Sequence, residues 1–186
     1  MSADLLLLLL YVLASLGFSF LCSIAEATLL SITPSYIAGL RESKAALAQK
    51  LQRLKHDRLD ESLAAILTVN TVANTIGAVA SGAKAAQVFG ETWLGVFSGV
   101  LTLLILFVAE IVPKTLGATY WRQLASPMAA YIGLLVRIMA PMNIVTQTIT
   151  KWLSGGNQAS AFNHDEFMAL ARSEEHTSEL QSRETI

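Results

Sequence analysis

Three long apolar stretches dominate the chain, Leu5 to Ser31, Leu63 to Ala83 and Trp93 to Val112, with polar or basic segments between them. Crossing a bilayer as a helix takes roughly 20 mostly apolar residues, so each stretch predicts a membrane-spanning helix. A fourth apolar segment, Met128 to Ile149, is interrupted by Arg137, Pro141 and Asn143. At the bilayer centre Arg137 would cost about 2.5 kcal/mol or more. A helix along the inner membrane surface is the cheaper arrangement, with Ile132, Leu135, Val136 and Met139 facing lipid or protein. Ser126 and Pro127 read as its N-cap and first-turn pair.

The segment between the first two stretches is helical by pattern. Thr33 stands as N-cap, Pro34 at the first helical position, and Ile37, Leu40, Leu47, Leu51 and Leu54 recur at helical spacing. Asp60 is expected to cap the second span. This segment carries Arg41, Lys44, Lys50, Arg53, Lys55 and Arg58, whereas the connection from Phe89 to Thr92 has no basic residue. Because Lys and Arg collect on the cytoplasmic side, the first loop is placed inside and the N-terminus outside. Lys114, Arg122 and Lys151 then fall on the cytoplasmic side, and Lys84 at the outer surface.

Composition agrees with this picture. Of 186 residues, 53% are hydrophobic and 15% charged, with a formal net charge of -1; that is too apolar for an ordinary soluble domain. The expected class is all-α, a polytopic protein of the cell (inner) membrane in contact with lipid, with three spans, a cytoplasmic helical loop and a juxtamembrane helix. No Lys or Arg precedes the leucine run at Leu5, so it reads as a retained helix rather than a cleaved signal. Cys22 is the one cysteine and can form no intrachain disulfide. No Ser/His or paired-aspartate constellation suggests an enzyme, and nothing suggests a nucleic-acid partner. Residues 1–150 read as the membrane domain and 151–171 as a linker. Residues 172–186 read as a disordered or non-native tail, since "RSEEHTSELQS" resembles a translated sequencing adapter. His164 and His176, with Asp165 and Glu166, fit a solvated helix start better than a metal site, and His56 belongs to the basic surface helix.

Polar residues in the apolar stretches fall on helix faces. Ser15, Ser19, Ser23 and Glu26 share one face of the first span, Asn70, Asn74, Gly77 and Ser81 one face of the second, and Gly95, Gly99, Thr102, Leu106 and Glu110 one face of the third. Pro113 offers no amide and crowds the carbonyl of Ala109, which is thereby freed beside Glu110. Hydroxyls, amide oxygens, a carboxylate and a carbonyl are hard donors suited to Mg²⁺, Ca²⁺ or Na⁺. With Glu26 and Glu110 as the only membrane carboxylates, the charge suits Mg²⁺ better than a tight Ca²⁺ cage. The competing reading is a set of packing stripes, with the two glutamates paired to Lys114 or Arg122 near the inner surface. Gly95 and Gly99 suit helix packing.

Three strings, "CSIAEATLLS" (22–31), "LTVNTVANTIGAVAS" (67–81) and "LFVAEIVPKTLG" (106–117), together resemble the transmembrane domain of the CorC/CNNM magnesium transporters. The resemblance covers about residues 5–150. It implies three spans and a juxtamembrane helix in a homodimer, and a dehydrated Mg²⁺ site in the inner half. To that site it assigns Ser19, Ser23, Asn70, Asn74 and Glu110, with Glu26, Pro113 and Lys114 beside it or at its gate. Outward Mg²⁺ transport with Na⁺ as coupling ion is likewise implied by the resemblance alone. The alternative function is a membrane scaffold without transport. Ala25 departs from the family, which often has a small polar residue there. Members usually continue into paired cystathionine-β-synthase (CBS) modules that bind ATP, so ATP regulation is expected to lie outside this chain.

Overall fold

The computed structural model describes residues 3–153, with side chains through Pro141. The linker beyond Leu153, with His164, Asp165 and Glu166, and the tail at 172–186, with His176, lie outside the described residues. Every described element is helical: α1 (Ala3–Ser31), α2 (Pro34–Ser43), α3 (Ala45–Gln52), a π-helical turn (Arg53–Asp57), α4 (Leu59–Phe89), a 3₁₀ turn (Glu91–Trp93), α5 (Leu94–Leu104), a π-helical segment (Ile105–Ile111), α6 (Val112–Thr119) and α7 (Trp121–Leu153).

Four stretches are long and apolar enough to cross a membrane, Ala3–Ser31, Leu59–Phe89, Glu91–Thr119 and Trp121–Pro141. Length and composition therefore make this a multi-pass helical membrane protein, and they do not single out three spans. At the turn between α4 and α5, Gly90 adopts φ 83°, a conformation that side-chain-bearing residues rarely take, and so ends α4.

Within the unit ending at Pro141, α1 is the central helix, packed along α4 and against α6 and the π-helical segment. Its C-terminal half joins a second cluster: Cys22, Ala25 and Leu29 pack with Ile37, Ala48 and Leu51 of α2 and α3, Ile66 of α4, and Ala129, Ile132 and Val136 of α7. Ala25 is thus a fully buried core residue. The start of α7 is held by Tyr36, whose ring meets that of Trp121 edge-on at 4.9 Å and whose hydroxyl donates to the Arg122 carbonyl at 3.2 Å. Arg137 is exposed.

Thr33 caps α2 as its position predicts, accepting from the Tyr36 amide at 3.4 Å. Three local expectations are corrected. Asp60 lies inside the first turn of α4 rather than capping it, because the π-helical turn delivers Arg58 to the cap position. The Ser62 hydroxyl then bonds the Arg58 and Leu54 carbonyls. Ser126 and Pro127 do not start α7, which begins at Trp121 and contains Pro127; contacts of Trp121 and Arg122 with Tyr36 fix the earlier start. The third span does not stop at Val112, since the π-helical segment absorbs Pro113 and the chain stays helical to Thr119. Lys55 reaches back to cap α1 through the Leu30 carbonyl at 2.8 Å, and burial pushes its pKa below the usual lysine range.

Candidate functional site

The serine stripe of α1 faces inward: Ser15, Ser19 and Ser23 are buried. Each hydroxyl bonds an oxygen on another helix. Ser15 Oγ donates to the Ala73 carbonyl at 3.1 Å, Ser19 Oγ to Asn70 Oδ1 at 2.7 Å, and Ser23 Oγ to the Ala109 carbonyl at 2.7 Å. Further along, Thr28 Oγ1 meets the Gly117 carbonyl at 3.5 Å. The serine face of α1 therefore touches α4 at Ser15 and Ser19 and the third helix at Ser23.

The Ala109 carbonyl owes its availability to the proline. In a regular α-helix it would accept from the amide of residue 113, which in Pro113 does not exist. The chain widens instead, with the Val112 amide bonding the Phe107 carbonyl, and the Ala109 oxygen turns to Ser23. Such single wide turns are frequent at functional sites. Glu110 follows directly and is half-buried. Among the described residues it takes part in no ion pair.

Asn74 lies one turn beyond Asn70 on α4. Its Oδ1 is buried and has no hydrogen-bond partner, an acceptor in the α1–α4 seam without a donor. Glu26 leaves the stripe to pair with Lys114 Nζ at 3.3 Å, with 19% of the glutamate side chain exposed against 48% of the lysine. This pair joins α1 to α6 on the side of Ser23 nearer the basic loop.

The structure thus brings Ser19 to Asn70, Ser23 to the carbonyl preceding Glu110, and Glu26 to Lys114. It does not extend the stripes further. Ser81 bonds its own helix at the Gly77 and Ala78 carbonyls, and Thr102 bonds the Ser98 carbonyl. A side chain at Gly95 or Gly99 would meet nothing within 4 Å, so among the described residues neither packs against another helix. The Thr28–Gly117 contact was missed by sequence reasoning, because Thr28, five residues past Ser23, lies about 140° around the helix from it and off the serine stripe. Gly117 permits that approach, since a Cβ there would lie 2.8 Å from the Ile24 carbonyl. Cys22 meets the Tyr131 hydroxyl at 3.4 Å. Among the described residues no three His, Cys, Asp or Glu side chains gather as they would to hold a metal ion; the donors of the seam are hydroxyl, amide and carbonyl oxygens with Glu110 as the one carboxylate beside them.

Known proteins share this arrangement of sequence. The family profile "Cyclin M transmembrane N-terminal domain" (CNNM) matches residues 9–184. UPF0053 protein sll1254 of Synechocystis sp. is 34% identical over 151 residues, 81% of this chain and 43% of that protein. UPF0053 inner membrane protein YfjD of Escherichia coli is 28% identical over 118 residues, 63% of this chain and 27% of that protein. The chain therefore spans less than half the length of these relatives. With the family profile matched over nearly its whole length, the chain belongs to the CNNM family of membrane proteins.

Proposed function

We propose that this membrane domain carries Mg²⁺ through the seam between α1, α4 and the third helix, bound by Ser19, Ser23, Asn70, Asn74 and Glu110 together with the Ala109 carbonyl. The direction is outward with Na⁺ as coupling ion, in a homodimer in the inner membrane, a location printed in the name of the Escherichia coli relative. The observation that carries the reading is Asn74 Oδ1. A buried acceptor without a donor costs about 1–3 kcal/mol, and a cation in the seam would remove that penalty.

The spacing of the oxygens supports the same ligand. Mg²⁺ holds six ligands at about 2.0–2.1 Å, which puts adjacent ligand oxygens about 2.9 Å apart. The Ser19–Asn70 and Ser23–Ala109 pairs are each 2.7 Å apart, so either pair can form an edge of that octahedron with little movement. The two serines are separated by about 6 Å along α1, too far for direct bonds from one ion to both pairs, and Mg²⁺ commonly keeps waters that would complete the shell. Glu110 supplies the charge. Glu26 and Lys114 stand at the cytoplasmic end, where the ammonium competes with an entering cation for the carboxylate, and Pro113 maintains the wide turn. The scaffold reading remains the rival, because the serine contacts are also what helix packing alone would make.

Asn70 separates the two. Asn70→Ala is expected to erase most of the Mg²⁺-dependent thermal stabilisation, which grows as RT ln(1 + [L]/Kd), in addition to a modest metal-free loss from the broken Ser19 bond. Thermal unfolding in detergent, with and without Mg²⁺, measures it. Loss of stability by about 0.6–2 kcal/mol irrespective of Mg²⁺ would instead indicate packing.

Three spans belong to the same proposal, with Trp121–Pro141 along the inner surface. Its support is the company α7 keeps: it packs on α2 and α3, whose Arg41, Lys44 and Lys50 are exposed. Cysteines at Lys44 and Ala140, in a Cys22→Ala background, are both expected to be shielded from an impermeant reagent outside. Labelling of position 140 from outside, with position 44 protected, would establish a fourth span and reverse the side of everything after it.

A further inference from the structure

The α2–α3 loop carries a second binding feature, away from the cation seam. Lys44, with φ -142° and ψ 60°, breaks the helix between α2 and α3. Beside the break lies a groove of about 650 Å³, lined by Arg41 from α2, Ala48, Gln49 and Gln52 from α3, and Arg53 and Asp57 from the π-helical turn. Arg41 and Arg53 are exposed, and among the described residues neither enters an ion pair. Two unpaired guanidiniums in one groove repel Mg²⁺ and suit an anion able to take paired N–H donors, of which phosphate is the best fit.

We propose that this groove binds the headgroup of an anionic phospholipid. Arg41 and Arg53 take the phosphate, while Gln49, Gln52 and Asp57 are placed to bond headgroup hydroxyls. Location selects a lipid over a soluble phosphate. The loop is tethered at both ends to stretches that cross the membrane by length and composition: Ile32 and Thr33 alone separate α1 from α2, and Arg58 alone separates the π-helical turn from α4. Both arginines are thereby held near the surface, where acidic headgroups are concentrated. Basic clusters immediately beside a membrane helix recognise such lipids generally. This inference rests on the membrane reading and not on Mg²⁺ transport.

The test uses the purified full chain in phosphatidylcholine nanodiscs, titrated with short-chain phosphatidylglycerol and read by native mass spectrometry. Saturable binding is expected. At about a fivefold loss per basic residue removed from a lipid contact, Arg41→Gln with Arg53→Gln should weaken it by roughly 25-fold. The charge-matched pair Lys44→Gln with Lys50→Gln, outside the groove, should weaken it much less. Equal losses in the two double variants would overturn the groove in favour of diffuse surface charge. Inorganic phosphate that displaces the lipid at equal concentration would overturn the lipid as its occupant. Circular dichroism of each variant confirms that a loss of binding is not a loss of fold.

Discussion

Glu110→Gln is expected to lower Mg²⁺ flux into or out of reconstituted vesicles by roughly 10- to 100-fold, the range typical when a group supporting a metal site is removed. The substitution keeps size, exchanges one acceptor oxygen for an amide donor and deletes one charge. That charge is the only carboxylate in the wide turn Ile105–Ile111, beside the Ala109 carbonyl that Ser23 engages. On the proposed transport reading, in a low-dielectric seam it would be the main compensation for stripping water from a divalent cation. A glutamate that served only packing or surface charge would be replaced at little cost, so unchanged flux in the variant, with the unsubstituted protein active, would remove Glu110 from the site.

A clear loss of stability is expected from a substitution at Gly117. A Cβ there would lie 2.8 Å from the Ile24 carbonyl, 2.9 Å from Ala27 Cβ and 3.3 Å from Ile24 Cα. Two of the three are backbone atoms of α1 and cannot rotate away. Alanine in a helix interior gains about 1 kcal/mol in propensity over glycine, but overpacking a close contact costs about 1–3 kcal/mol, and here the second effect wins because both helices must separate. Gly117→Ala should therefore lower the Tm in detergent. Gly99→Ala is the control: with open space around it, only the propensity term acts, and the Tm should hold or rise. A rise at Gly117 would show that α1 and α6 are not packed as described.

Local chemistry made part of this architecture readable. The apolar runs are long enough to leave no other assignment, Thr33-Pro34 is a helix start wherever it occurs, and the four-residue spacing of Ser15, Ser19 and Ser23 fixes a face without knowledge of its partner. Pro113 likewise announces a freed carbonyal oxygen at Ala109, since the missing amide belongs to the residue itself. What stayed hidden depends on distant chain. The start of α7 is set by Tyr36, 86 residues before Arg122 in sequence. The cap of α4 is displaced from Asp60 by a π-helical turn whose register no nearby residue dictates. Gly95 and Gly99 resemble Gly117 in type, yet of the three only Gly117 faces another helix among the described residues, and spacing cannot tell them apart.

Anomalous scattering from the protein crystallised with Mn²⁺, a heavier stand-in for Mg²⁺, tests the central claim most directly because it reports where the ion sits. The account predicts one peak in the seam, within direct or one-water reach of Ser19, Asn70 and Glu110, that disappears when excess Mg²⁺ is added. No peak in the seam at concentrations that support flux, or a peak only at surface carboxylates such as Asp57 and Asp60, would contradict it.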